Sequence, residues 1–529
     1  MFWTFFFATI PFLIVILLKS KKALHMLQQN WYNDGNRYID WILKNPKKVF
    51  VGLDVFYILF FFGKLIDTEI LLFLFFAFSL MVVVTTYQHI REEQVKKPLV
   101  VTKRVKRLIY TTILLYGIIY LLIGIFFKRT NLYLYFAFLG VLGYFHYFVI
   151  WLVNMINKPI EKYVFYYYKR KAIFKLKSMN DMPVIGITGS YGKTSSKNIL
   201  ADILNVKYNA FPTPKNFNTT YGMINTINNY LDKFSDYFIA EMGAFKIGEI
   251  KEICDLVHPK YGILTKVGTA HLESFGSREN IQKGKFELIE SLPSDGIGIL
   301  NADDSYQKSY RLKNNCKIVW IGIENEADVQ ATNIKLSYKG TSFDVIFKGE
   351  KEKFHFETRL LGKANVYNIL AGIALGKNLG ISIEQLMLGV KRINAVEHRL
   401  ELKKYGNINL IDDAYNSNPD GSKMAVEVLG MMPGKKIIVT PGMIELGPDE
   451  YQYNQTFGEQ IAGIVDEAIL IGEKQTKAIY EGLIRKKFPK EHIHILNDVK
   501  LAFPLMQKLA EKETYVLLEN DLPDIFNEK

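Results

Sequence analysis

Cysteine is nearly absent from this chain of 529 residues. Only Cys254 and Cys316 occur, far apart and in no CxxC pair. That excludes a disulfide framework and a cysteine-built metal centre, and it fits reduced thiols in a cytosolic domain. No basic residue precedes the first apolar run and no small-residue cleavage pattern follows it, so the run reads as a retained anchor rather than a cleaved leader. The soluble part shows no internal repeat and no low-complexity stretch. The net charge of +13 comes without the aromatic-plus-basic pattern of RNA-binding modules. Much of it flanks apolar runs, which points to a membrane surface and away from nucleic acid.

What is present is unevenly spread. The first third is dense in Phe, Leu, Ile and Tyr and contains five apolar runs: Phe2–Leu18, Val49–Gly63, Ile70–Tyr87, Leu108–Phe127 and Leu132–Ile156. A membrane-spanning helix needs about 20 such residues. The second run is short and would use Lys48 and Tyr57 as interface anchors. Basic residues cluster after the first run (Lys19, Lys21, Lys22, Arg37, Lys44, Lys47, Lys48). They cluster again after the third (Arg91, Lys96, Lys97, Lys103, Arg104, Lys106, Arg107) and after the fifth. The second loop has only Lys64, the fourth only Lys128 and Arg129. With five spans, this alternation places the N-terminus outside and everything after about Ile156 in the cytosol. Asp54, inside the second run, reads either as a functional intramembrane charge or as a carboxylate solvated at the interface. His146 and Asn154 read as packing or interface residues.

The next segment is Pro183-Val184-Ile185-Gly186-Ile187-Thr188-Gly189-Ser190-Tyr191-Gly192-Lys193-Thr194-Ser195. A short β-type run leads into a Gly-rich turn and then a helical pattern, the setting of a phosphate-binding loop. Backbone N–H groups of Gly189, Ser190 and Gly192, with the helix N-terminus at Ser195, would cradle phosphate oxygens. Lys193 would reach the β- and γ-phosphates and Thr194 would hold Mg²⁺. Ile187 occupies the first glycine position of the strict pattern, so the loop is a GxTGxxGKT variant.

That variant resembles the Mur ligase family, which adds amino acids to peptidoglycan precursors, and further motifs follow in the family's order. They are Asn216-Phe217-Asn218 through Gly222, Ala240-Glu241-Met242-Gly243, Thr269-Ala270-His271-Leu272-Glu273, Lys285-Phe286-Glu287 and Leu300-Asn301-Ala302-Asp303-Asp304. Beyond Gly362–Asn368 come Glu397-His398-Arg399-Leu400-Glu401, Asp412-Asp413-Ala414-Tyr415-Asn416-Ser417-Asn418-Pro419 and Gly442-Met443-Ile444-Glu445-Leu446-Gly447. The GSxGKTSxK loop and the Asp-Asp-x-Tyr-Asn-x-Asn segment resemble the family's D-alanyl-D-alanine-adding branch. The resemblance implies an ATP-dependent carbon–nitrogen ligase working through an acyl phosphate, with ATP and Mg²⁺ at two metal sites. In it Glu241 binds metal, His271 binds the second metal, and Lys285 is carbamylated. Asn301 lies on the adenine side, while Arg399, Asp413 and Tyr415 reach ATP from the C-terminal domain. Taken singly, His271 is more readily a packed or surface histidine and Lys285 a solvated lysine; their ordered context is what raises them.

The chain departs from the family in four places. Apolar helices stand where the UDP-sugar-recognising domain is usual, which suggests a lipid-linked rather than a UDP-linked acceptor. Ala364 replaces a usual histidine. Pro441-Gly442 stands where Gly-Asp is usual. Glu519-Asn520-Asp521 replaces a Lys-Gly-Ser segment, which suggests a changed amine substrate.

The expected architecture is an α-helical transmembrane region (1–157) followed by α/β. A P-loop central ATPase domain with a parallel sheet (181–392) carries a β-rich insert at about Lys317–Arg359. A Rossmann-like C-terminal domain (393–529) follows. The expected partners are the lipid bilayer, a muramoyl-peptide or lipid-linked acceptor, and an amino acid or dipeptide. The competing readings are a poly-γ-glutamate-synthase-like membrane ligase, a transporter driven by a P-loop ATPase, and a non-catalytic membrane scaffold. The transporter reading lacks a second nucleotide signature, and the intact Lys193, Glu241, His271 and Lys285 oppose the scaffold.

Overall fold

The computed structural model of the chain describes residues 2–32, 36–50, 53–92, 98–179, 182–269, 271–415, 417–444 and 446–521. Lys96, Lys97, Ala270, Asn416 and Glu445, named above, lie outside the described residues. The chain forms two compact units, Met1–Tyr166 and Tyr167–Lys529.

The first unit is helical. Helices α1 (Ile10–Gln29), α2 (Thr68–Glu92), α3 (Lys103–Ile125) and α4 (Leu132–Tyr144) pack around an aromatic core in which Phe75 stacks on Phe136 at 4.0 Å. Gly140 lets α4 approach the short helix Leu53–Leu65, because a Cβ there would lie 2.2 Å from the Tyr57 Cβ. Small residues at such crossings are the usual packing device of helices in lipid.

Fewer spans form than the five expected. Among the described residues two helices are long and apolar enough to cross a membrane, Thr68–Arg91 and Lys103–Ile125. A third arises only if α4 and α5 (His146–Lys177), which meet at a 76° bend, count as one span. The reasons are local. The first run breaks at Thr9, whose hydroxyl donates to Phe6 O, and its second helix carries Lys19, Lys21 and Lys22. The second run makes a 13-residue 3₁₀ segment. The expected orientation was drawn from five spans, and among the described residues the count is two or, with the bent pair, three.

Asp54 corrects a second expectation. It is not solvated: it is buried, paired with Lys19, which also donates to Gly143 O at 2.9 Å. Lys19 thus belongs to the helix core and not to a basic loop. His146 lies between Ser20 Oγ (2.7 Å) and the Tyr116 hydroxyl (3.0 Å), and Asn154 Oδ1 accepts from Arg104 at 3.3 Å.

The second unit holds two sheets. The larger begins with β1 (Val184–Thr188), β2 (Ala210–Pro212), β3 (Tyr237–Glu241), β4 (Tyr261–Leu264) and β5 (Ile297–Asn301). It continues through β6 (Lys317–Gly322), β7 (Val329–Ser337), β8 (Gly340–Phe347) and β9 (Lys353–Thr358), in the order β2-β3-β1-β4-β5-β6-β7-β8-β9. It is parallel as far as β7 and antiparallel beyond. The β-rich insert thus extends the sheet. All five residues of β1 are buried, as expected of a central parallel strand covered on both faces. One face packs on α6 (Lys193–Leu204) and α8 (Lys363–Asn378), through Ile185, Ile187, Ile203 and Ile369. On the other face Leu288 of α7 (Arg278–Glu290) presses on Gly186.

The smaller sheet comprises β10 (Glu401–Tyr405), β11 (Ile408–Asp413), β12 (Lys435–Thr440), β13 (Glu467–Ile471), β14 (Ile493–Leu496) and β15 (Thr514–Glu519), in the order β10-β11-β15-β12-β13-β14. Only the β10–β11 pair is antiparallel. Helix α9 (Pro419–Gly430) starts with the Asn418 side chain accepting from Gly421 N at 2.8 Å.

Candidate functional site

In open parallel sheets, ligands bind beyond the carboxyl ends of the strands, and the candidate residues gather there. The turn after β1 starts at Gly189, whose φ of 149° and crowding exclude a side chain: a Cβ would lie 2.0 Å from Thr265 Oγ1. Neighbouring strand ends hold the loop. Ser190 N donates to Lys266 O (2.7 Å), Thr265 Oγ1 to Tyr191 O (2.5 Å) and Gly268 N to Ser190 Oγ (2.9 Å). Gly192, at φ 76°, lies under Asn368 of α8 and opens α6, with Ser195 in that helix's first turn. Lys193 Nζ donates to Gly189 O (2.7 Å) and Ser190 O (3.2 Å), which lays its ammonium over the loop. Burial lowers its pKa to about 8, with Arg399 adding repulsion and Glu241 opposing the shift.

Glu241, at the end of β3, is buried. Its Oε1 accepts from Thr194 Oγ1 (3.1 Å) and Asn218 Nδ2 (3.0 Å), and its Oε2 lies 3.0 Å from Lys197 Nζ. Two adjacent ligands of an octahedral Mg²⁺ at about 2.1 Å lie about 3 Å apart. The Thr194–Glu241 oxygen pair matches that spacing with hard donors, so it fits Mg²⁺. The second expected metal site is less assembled. Among the described residues no three His, Cys, Asp or Glu side chains converge as a metal cluster. His271, at φ 60°, lies against the Phe245 ring at 4.4 Å. Lys285 is fully buried in α7 and donates to Ala244 O at 3.4 Å, so the two flank one segment. Burial, then the Lys193 charge, holds the Lys285 amine well below the usual lysine range.

The C-terminal sheet reaches the same place. The Arg399 guanidinium lies 4.2 Å over the Tyr415 ring and within electrostatic reach of Asp413, Glu241 and Lys193. The Tyr415 hydroxyl is in hydrogen-bonding reach of Asn216. Asp413, pushed up to about 7 by burial and then by Glu519, accepts from Leu400 N at 3.2 Å. Asn301, at the end of β5, turns its side chain inward to accept from Asp303 N (2.9 Å) and so shapes the loop after β5.

The departures also find their places. Ala364 lies in the first turn of α8, and Gly442 takes φ 81°, its carbonyl accepting from Asn520 Nδ2. Glu519 is buried, with the hydroxyls of Ser417, Ser422 (2.7 Å) and Thr440 (3.0 Å) donating to it. Its charge is therefore turned inward. Two residues at this centre had no role read from the sequence, Lys197 and Asn218. Both stood inside recognised motifs, but only the folded chain brings them onto Glu241.

Residues 187–376 match the Mur ligase middle domain, and residues 398–519 match the Mur ligase glutamate ligase domain. The UDP-N-acetylmuramoyl-tripeptide–D-alanyl-D-alanine ligase of Bacillus subtilis (strain 168) is 31% identical over 340 residues, covering 64% of this chain and 72% of that protein. Its counterpart from Escherichia coli (strain K12) is 34% identical over 301 residues, covering 56% and 66%. A crystal structure of MurF from Acinetobacter baumannii superposes with a TM-score of 0.61 at 26% identity, covering 67% of this chain and 77% of that one. MurF ligase from Thermotoga maritima, solved in complex with ADP, has the same fold, with a TM-score of 0.59 at 24% identity over 69% and 82%.

Proposed function

We propose that this chain, which belongs to the Mur ligase family and is an ATP-dependent carbon–nitrogen ligase, joins D-alanyl-D-alanine to a muramoyl tripeptide at a membrane face. The relatives named above act on that pair of substrates by name. The observation that carries the reading is the convergence of Lys193, the Thr194–Glu241 pair and Arg399 at the strand ends.

The chemistry follows from the charges. A carboxylate is a poor electrophile, so its oxygen first attacks the γ-phosphorus of ATP and ADP leaves. The amine nitrogen then attacks the acyl carbon, phosphate leaves and the amine loses a proton. The protein's task is to position and to balance charge. Lys193 and the loop N–H groups bind phosphate oxygens. Thr194 and Glu241 would hold Mg²⁺, which would supply positive charge against the transferring phosphoryl group. Arg399 and Tyr415 close over the nucleotide and exclude water from the acyl phosphate.

A neutral amine is what carbon dioxide adds to, and Lys285 is held towards that form. We assign it a carbamate that, with His271, supplies the second metal site. Two apolar helices of spanning length support a membrane anchor.

The test is ADP formation by the detergent-purified chain with D-alanyl-D-alanine and either of two acceptors, UDP-linked muramoyl tripeptide or its polyprenyl-linked form. Turnover with the UDP form identifies a tethered ligase of conventional acceptor. Turnover with the lipid form alone makes the helices part of the acceptor site. Silence with both overturns the substrate assignment.

A further inference from the structure

Helix α5 has two unlike faces in its last third. On one, Ala172 is fully buried and Lys175 Nζ donates to Leu231 O (2.8 Å) and Asn228 O (3.5 Å), while Asn228 Nδ2 donates to Tyr168 O (3.0 Å). That face is fastened to the catalytic unit, and Asp232, which acts on Lys175, is the acidic group beside it. The other face carries Tyr167, Arg170, Lys171, Phe174 and Lys177, all exposed, at spacings i, i+3, i+4, i+7 and i+10. Phe174 is 79% exposed and Tyr167 57%.

A phenylalanine this open leaves most of its apolar surface in water. Mixed aromatic and basic residues on one helical stripe are the composition of helices that lie in a lipid interface. Each Lys or Arg near an anionic surface adds to the attraction there. The stripe is also continuous with apolar chain, because the same helix begins in the segment that continues α4.

We infer that this stripe rests in the headgroup layer of an anionic membrane, with Tyr167 and Phe174 inserted and Arg170, Lys171 and Lys177 on lipid phosphates. The catalytic unit then rides on the opposite face and is oriented on the membrane as well as tethered to it. The inference rests on the membrane reading given under Proposed function.

The full chain carrying Phe174→Cys, labelled there with an environment-sensitive fluorophore, tests it. Cys254 and Cys316 are buried. The chain is placed in nanodiscs of phosphatidylcholine with or without phosphatidylglycerol, the lipids bearing a headgroup-level nitroxide. Lipid quenching is expected to be severalfold stronger with phosphatidylglycerol. It should fall to the phosphatidylcholine level when Arg170, Lys171 and Lys177 are changed to Glu. A label quenched by aqueous iodide in both discs overturns the inference. So does a label shielded from iodide yet untouched by the lipid nitroxide, which would mark a protein partner. Alkaline extraction of the same membranes reports the anchor separately. A label lipid-quenched at neutral pH on a chain that alkali then releases removes the anchor and leaves the stripe; retention in alkali with an iodide-exposed label does the reverse.

Discussion

Lys197 is a fully buried lysine whose only acidic partner among the described residues is a candidate metal ligand, and it also donates to Lys215 O. Breaking a buried pair by removing one partner costs about 3–5 kcal/mol, because the other charge stays behind. Lys197→Met should lower the thermal midpoint accordingly. Added Mg²⁺ should recover more stability in the variant than in the parent, since it would replace the missing charge at Glu241. Equal Mg²⁺ responses would separate Lys197 from the metal site.

Two further groups set a pH profile. Asp413 ionises near 7 and Lys193 deprotonates near 8. The free enzyme's kcat/KM for ATP should therefore rise through about 7, as the carboxylate forms, and fall through about 8, as the phosphate-binding charge is lost. Asp413→Asn should abolish the acid limb. The stability sign runs the other way. A carboxyl with a raised folded pKa stabilises when protonated, and that contribution is lost as pH rises through the folded value. Asp413→Asn should thus raise the thermal midpoint at pH 8 while lowering activity.

At the scale of elements, Asp303 ties the loop after β5 to its surroundings. It accepts from the backbone of Ile323 (2.6 Å), Glu324 (3.0 Å) and Asn325 (2.7 Å), and from the Tyr367 hydroxyl of α8 (2.8 Å). Hydrogen bonds to a charged group contribute about 1.5–3 kcal/mol each. Asp303→Ala should cost at least about 3 kcal/mol in urea unfolding and weaken nucleotide binding, whereas Asp303→Asn should lose less. A fully stable Asp303→Ala chain would refute that role.

Legibility at this scale follows burial. β1 is readable as an apolar run because central parallel strands are covered on both faces. β10, with Lys403, Lys404 and Tyr405 half-buried or exposed, carries no such run and pairs only through β11. The phosphate loop was readable because its glycines stand at forced backbone positions. The partners of Glu241 were not, because Asn218 and Lys197 reach it from separate segments. In the apolar third, run length could not reveal the break at Thr9 or the bend between Tyr144 and His146.

Across the catalytic unit, Leu361 packs into the hydrophobic cluster of the smaller sheet, and the polar links between the two sheets' domains include three side-chain contacts. Lys266 pairs with Asp420 (2.9 Å), Arg278 donates to the Tyr453 hydroxyl (3.2 Å), and Tyr415 reaches Asn216. The Lys266–Asp420 pair is about half exposed, so Asp420→Ala should change unfolding stability by less than about 1 kcal/mol.

The exposed polar links have a hydrodynamic consequence. With Arg399 beside Tyr415 and within electrostatic reach of the phosphate-loop Lys193, a swing of the C-terminal sheet is the expected route for nucleotide entry and product release. A body of that size moves against solvent drag, so kcat should fall in proportion to viscosity in sucrose or glycerol. Loosening the latch with Asp420→Ala and Arg278→Ala should flatten the slope, because the swing would then outpace bond making.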